Sequence, residues 1–271
     1  MFNAMLKKYG VETVNSAASA ASLNNSNHLE VTCCTRASGN QEQWDNMYEK
    51  FLITQKTIPH RDRDFVKWHG GIAHYGFWAI VVDDPNWLKF FDAACSQVRH
   101  FIHPGYQRLP HITIIACGLF AETHFSPQHL AGQLTALNEA MFPPFSLKAG
   151  SLNSFTSAPY ITVEESTGTL NQIRRLLSSI SEEDKPDQYQ PHITLGLYRD
   201  AFDTLQVAKC LRGFQYTPIK PMLVTELVFC SYETKNVQGP VNVLERVKLD
   251  ATAKNHKTSR SRNYRLESIS T

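Results

Sequence analysis

Several features are missing from the sequence. It has no run of about 18 apolar residues, so no membrane-spanning helix is predicted. The N-terminus, "MFNAMLKKYG", carries no apolar stretch behind its lysines, which predicts no signal peptide. The net charge is only +2, too near neutral for bulk charge to name a nucleic-acid or membrane partner. There are six cysteines and no Cys-x-x-Cys pair, which speaks against the common zinc and dithiol motifs. Cys95, Cys117, Cys210 and Cys230 fall inside apolar segments and read as small, reduced core residues. The expected setting is the reducing cytoplasm.

What is present has ordinary globular composition. A chain of 271 residues, 42% hydrophobic and 19% charged, can bury a sizeable core in one large domain or two small ones. Residues 1–40 are rich in Ser, Ala, Asn and Thr and predict a loosely ordered extension. Trp44, Tyr48, Phe51 and Leu52 then recur at helical spacing. The chain divides into an N-terminal extension with one short helix (1–70), a main domain (71–249) and a basic tail (250–271) predicted to be disordered.

The main domain alternates irregularly between strands and helices. "YGFWAIVV" is rich in aromatic and β-branched residues and predicts a strand. Asp84-Pro85 and Ser126-Pro127 read as helix caps, the first heading a face of Trp87, Phe91, Ala94, Val98 and Ile102. The second heads Leu130, Leu134, Leu137 and Met141. "FSLKAGSL" and "PYITVEE" predict two strands, and Gly168–Ser181 a helix. "YQPHITLGLY" predicts a strand, Asp203–Leu211 a short helix, and "MLVTELVFCSYE" and "GPVNVLERVKL" closing strands. The fold class is α+β, and its two similar halves imply an internal duplication.

Each half centres on the same four letters. Pro-His-Ile-Thr occurs in "LPHITIIACG" (Leu109–Gly118) and again in "QPHITLGLYR" (Gln190–Arg199). One His-x-Thr arises readily by chance, whereas two copies of the four-letter string do not. In a strand, residues i and i+2 share a face. His111, Thr113 and Ile115 therefore predict one face, opposed by Ile112, Ile114 and Ala116. In the second copy His192, Thr194 and Gly196 oppose Ile193, Leu195 and Leu197. The apolar faces belong against helices and the polar faces toward a cleft, where Gly196 would let a ligand approach the backbone.

Two imidazoles and two hydroxyls suit in-line displacement at phosphorus. One histidine takes a proton from the attacking oxygen and the other gives one to the leaving oxygen. Thr113 and Thr194 can hydrogen-bond the phosphate oxygens, and this chemistry calls for no metal or other cofactor. The bland alternative is a pair of core histidines satisfied by backbone carbonyls.

The paired motifs, His111-Ile112-Thr113-Ile114 and His192-Ile193-Thr194-Leu195, resemble those of the two-histidine (2H) phosphoesterase superfamily over roughly residues 71–249. That superfamily includes the bacterial and archaeal 2'-5' RNA ligases and the cyclic phosphodiesterases. The resemblance implies two pseudo-symmetric lobes of antiparallel sheet with outer helices and a catalytic groove between them. It implies His111, Thr113, His192 and Thr194 as the catalytic set. The substrates would be an RNA terminus or nucleotide bearing a 2',3'-cyclic phosphate, or a 2'-5' linkage, with ligation as the reverse reaction. A hydrolase of cyclic oligonucleotide signals and a non-catalytic RNA- or nucleotide-binding module are the alternatives.

Cations and flat surfaces near the motifs are the candidate substrate contacts: Tyr106, Arg108, Phe155, Tyr160, Tyr189, Tyr198 and Arg199. His100 and His103 have helical i, i+3 spacing but no visible third ligand, so no metal site is assigned. His69 and His74 flank a Gly-Gly turn and read as loop residues. No membrane and no obligate protein partner is indicated.

Overall fold

The computed structural model describes residues 48–61, 63–183 and 189–250. Residues 1–40, Trp44 and most of the basic tail lie outside the described residues. A helical stretch at 48–53 leads to α1 (Val66–His69) and β1 (His74–Val81). There follow α2 (Pro85–Val98), β2 (His111–Leu119), α3 (Pro127–Ala140), β3 (Phe145–Ser154) and β4 (Pro159–Glu165). Next come α4 (Thr169–Ser178), β5 (His192–Thr194), α5 (Thr204–Arg212), β6 (Met222–Val224), β7 (Glu226–Glu233) and β8 (Asn242–Lys248).

The helix starts are set by short polar side chains. Asp84 accepts from the Asn86 and Trp87 amides at 2.8 and 3.1 Å, and Asp203 from those of Leu205 and Gln206 at 2.9 and 3.1 Å. Ser126 Oγ accepts from the His129 amide while His129 Nδ1 accepts from that of Ser126, a reciprocal cap built with histidine. The buried face of α3 differs from the expected one. Met141, in a left-handed C-cap conformation, is 56% exposed. Gln133 is fully buried instead, accepting from Trp78 Nε1 at 2.8 Å and donating to the Leu177 carbonyl at 3.1 Å. Its amide is satisfied on both sides, so its burial leaves no polar group without a partner.

The eight strands among the described residues form one antiparallel sheet in the order β6-β3-β4-β5-β2-β1-β7-β8. The two halves are thus β6-β3-β4-β5 and β2-β1-β7-β8, joined at the β5–β2 seam. β1-α2-β2-α3 is matched by β4-α4-β5-α5, and the helices are exchanged: α2 packs on β4, and α4 packs on β2.

"MLVTELVFCSYE" is not the single strand expected. It splits at Thr225, and its two parts pair at opposite ends of the sheet, β6 beside β3 and β7 beside β1. In a flat sheet those positions would be about 29 Å apart at ~4.8 Å per strand. One intervening residue spans at most about 7 Å. The sheet is therefore strongly curled.

One face of the sheet packs on the helices. Its core includes Trp78, Ile80, Ile112, Ile114, Ile161, Val163, Ile193, Leu195 and Phe229. The other face carries a second apolar cluster with Trp68, Tyr75, Phe77, Ala79, Ala116 and Tyr232. The alternation expected along β2 fails at one point. Ala79 pairs with Thr113 and Trp78 with Ile115, so Ile114 is an extra, bulged residue. The bulge turns Ile115 to the helix side and Ala116 to the opposite side, the reverse of the expected assignment.

Candidate active site

The two motifs lie side by side at the centre of the sheet. Ile112 pairs with Ile193, and antiparallel pairing then sets His111 across from Thr194 and Thr113 across from His192. The neighbouring strands extend these into two rows. One row is Thr162, His192, Thr113 and Ala79, and the other is Tyr160, Thr194, His111 and Val81. Imidazoles thus occupy two diagonal corners of a square and hydroxyls the other two. Diagonal neighbours of this kind lie about 7–8 Å apart, with Cβ atoms somewhat closer, room for a tetrahedral phosphate between the rings. Both threonines are half-buried, and among the described residues neither hydroxyl has a hydrogen-bond partner.

The likeness between the motifs reaches individual hydrogen bonds. His111 Nδ1 lies 2.8 Å from the Leu109 carbonyl and His192 Nδ1 lies 2.7 Å from that of Gln190. A carbonyl can only accept, so each Nδ1 carries the proton and each Nε2 is left with its lone pair. The intervening prolines present their carbonyls to the residue just after β1 and to β4: Val82 N donates to Pro110 O at 3.0 Å, and Val163 N to Pro191 O at 3.2 Å. Pro110 and Pro191 fix φ between carbonyl and ring while giving up an N–H that strand entry does not need.

Burial pushes both imidazoles down to about 4, against an ordinary 6.5. The hydrogen bonds to Leu109 and Gln190 oppose the shift. The Arg108 guanidinium and His192 lower His111 further.

The candidate contacts divide. Phe155 stacks on Tyr160 at 4.3 Å between ring centres and meets His192 edge-on at 4.9 Å, with Tyr160 5.2 Å from the same imidazole. Arg108 lies 3.9 Å over the Tyr232 ring, with its Nε buried and unpartnered among the described residues. Burial raises the half-buried Tyr106 hydroxyl to about 12, with the Arg108 charge acting the other way. Phe155, Tyr160 and Arg108 therefore belong to the surroundings of the two histidines, with Tyr106 within reach of the Arg108 charge; Tyr160 itself is fully buried, so it backs Phe155 and His192 and presents no surface to a ligand. Phe77, 5.3 Å from the His111 ring and 6.0 Å from that of Tyr232, was missed although it lies in the strand "YGFWAIVV".

The others depart from expectation. Tyr198 is fully buried in the helix-side core, with its hydroxyl 2.6 Å from Ser154 Oγ, so it presents no surface to a ligand. Arg199 is exposed and lies 6.0 Å from the Phe202 ring, joining neither histidine. Tyr189 donates its hydroxyl to the Thr113 carbonyl at 3.0 Å and carries Arg174 over its ring at 3.8 Å, so it holds a motif strand. Gly196 makes no room for a ligand: a Cβ there would come within 3.0–3.2 Å of Ile102. The strand around His192 is only three residues long, because the chain beyond Thr194 pairs instead through the isolated bridge Ile102–Tyr198.

The remaining histidines stand apart. Helix α2 ends at Val98, so His100 and His103 do not share a helix face. His69 and His74 are not loop residues: His74 opens β1, and His69 ends α1, where its Nε2 donates to Asp64 at 2.6 Å and its Nδ1 accepts from the Gly71 amide at 3.0 Å. No three potential ligands cluster as a metal site among the described residues.

The sequence model of the 2'-5' RNA ligase superfamily matches residues 84–236, more than half of the chain and both motifs. The chain belongs to this superfamily. Superfamily membership supports an enzyme of the phosphodiesterase type. The chain is similar to E. coli LigT in its complex with 3'-AMP, at 16% identity over 66% of this chain and 99% of LigT, with a TM-score of 0.44. The protein TT0787 of Thermus thermophilus gives the same values. A conserved Agrobacterium tumefaciens protein of unknown function is similar at 13% identity over 75% of this chain and 98% of its own, with a TM-score of 0.45. No curated protein matches the chain in sequence. No helix among the described residues of this superfamily member is long and apolar enough to cross a membrane.

Proposed function

We propose that the protein is a metal-independent phosphodiesterase that opens 2',3'-cyclic phosphates or cuts 2'-5' phosphodiester bonds in RNA or nucleotides. The observation that carries the reading is the diagonal pair of histidines, each with Nδ1 committed to a backbone carbonyl and Nε2 available. In hydrolysis one neutral imidazole takes a proton from water as its oxygen bonds to phosphorus. The other, as imidazolium, hands its proton to the 2' or 3' oxygen as that P–O bond breaks. Ligation follows when a 5'-hydroxyl takes the place of water: its oxygen bonds to phosphorus as the 3' oxygen of the cyclic phosphate leaves with the proton, and the reverse of that step cuts the 2'-5' bond with the histidine roles exchanged. Thr113 and Thr194 donate to the non-bridging oxygens.

Both histidines are neutral in the free protein at pH 7, so the acid gains its proton when an anionic phosphate enters and favours the charged ring. Tyr106 and Arg108 are proposed to hold the anionic end of the substrate, and Phe155, backed by the buried Tyr160, its base. The catalytic domain is proposed as residues 71–249. The proposed setting is the cytoplasm, in keeping with the free thiols of Cys95, Cys117, Cys210 and Cys230.

The test is a substrate panel: a 2',3'-cyclic-phosphate oligonucleotide, 2'-5' oligoadenylate and cyclic dinucleotides, with products followed by mass spectrometry in the presence of EDTA. Turnover of either of the first two that is lost in His111→Ala and His192→Ala supports the reading. Undiminished turnover in the double variant overturns it. Turnover of cyclic dinucleotides alone would make the protein a signal hydrolase, and binding without any product a nucleotide-binding module.

A further inference from the structure

We propose that Tyr189 and Arg174 are positioning residues, a side-chain clasp that stands in for missing strand pairing and holds the first His-x-Thr motif in register with the second. The proposal rests on the acid–base reading above. β2 is nine residues long and β5 only three, and the seam between the two halves contains a single bridged pair, Ile112–Ile193. Just beyond that pair, the bulge takes Ile114 out of the β1 ladder.

Side chains occupy the gap. The Thr113 carbonyl accepts from the Tyr189 hydroxyl at 3.0 Å, and the Ile114 carbonyl accepts from Arg174 Nη1. Arg174 lies 3.8 Å over the Tyr189 ring, and Glu183 grips its guanidinium through two bonds of 2.6 and 3.1 Å. Every donor belongs to the second half and both acceptors to the first. Tyr189 stands three residues before His192, so one short segment carries the second histidine and anchors the first motif. A buried ion pair of this kind contributes little net stability, and fixing one geometry is its best-attested use.

Tyr189→Phe removes one hydroxyl and keeps the ring under Arg174. On a 2',3'-cyclic nucleotide, kcat should fall on the order of tenfold with KM unchanged, as expected for a small misplacement of reacting groups. The melting temperature should drop by no more than about 4 °C. In imidazole 15N NMR the His111 signals should move and those of His192 should stay. The double variant Arg174→Met, Glu183→Gln removes both buried charges together and should show the same kcat loss. Wild-type kcat in Tyr189→Phe overturns the clasp, as does a loss that only tracks the unfolded fraction. If the wild-type protein turns over none of the panel, the acid–base reading fails and the NMR comparison alone decides: unmoved His111 signals overturn the clasp, and a shift confined to His111 supports it.

Discussion

Ile112 and Ile193 face each other across the seam between the two halves of the sheet, and both are removed from water. Each is the middle residue of a His-x-Thr motif, so the same pair that packs the core sets where the two imidazoles and two hydroxyls stand. Ile193→Ala should cost about 2–5 kcal/mol in urea unfolding. At temperatures where it remains folded it should also lose kcat. Ile112→Val, which removes one methyl, should cost about 0.5–1.5 kcal/mol and leave kcat close to wild type.

The histidines make stability depend on pH in a definite direction. Their folded-state pKa is lowered to about 4, below the unfolded value near 6.5, by burial first of all. Between those values the unfolded chain binds the protons and the folded one does not. Stability should be fully present above about pH 6.5, fall as pH drops toward 4, and flatten below that. Urea midpoints across pH 4–7 check this. Inorganic phosphate should raise the histidine pKa values seen by NMR, and His111→Ala should shallow the pH slope.

Arg108 and Phe155 should fail differently. Arg108→Met should raise KM about tenfold or more and flatten the salt dependence of kcat/KM, because a charge on the substrate loses its partner. Arg108→Lys should rescue only part of this, since the guanidinium lies 3.9 Å over the Tyr232 ring and an ammonium would not reproduce that contact. Phe155→Leu should raise KM for nucleotides by about 5- to 150-fold, the equivalent of about 1–3 kcal/mol of base stacking. Equal KM values in both variants and the wild type would remove these residues from the site.

Gly196 is a packing residue, and its substitution separates stability from function. Gly196→Ala should destabilise by about 1–3 kcal/mol through the contact with Ile102, without changing nucleotide affinity in calorimetry. Weakened affinity in a stably folded variant would return the glycine to the groove.

The repeated Pro-His-Ile-Thr, the Asp84 and Ser126 caps and the α+β class were legible in the sequence, because each is a local pattern with a local cause. The bulge at Ile114 was not, since it is defined by what β1 places opposite. Strict alternation therefore misassigned Ile115 and Ala116. The break at Thr225 was hidden for a similar reason: a continuous apolar run does not reveal that its two ends pair with different neighbours. Tyr198 and Tyr189 illustrate the limit for aromatics beside a motif. Their positions were informative, but only the fold shows that one hydroxyl serves Ser154 and the other serves the backbone of Thr113.

The split at Thr225 bears on how the protein is made. β1, which flanks the first motif, finds its outer neighbour only in β7, and β3 finds its outer neighbour only in β6. Both arrive after the second motif has left the ribosome. A nascent chain stopped short of Met222 would already contain all four histidine and threonine residues, yet would expose a sheet edge on either side of them. Such a topology folds slowly and late. Separating the two repeats would likewise leave the first without β7 and β8, which the chain supplies only after the second motif.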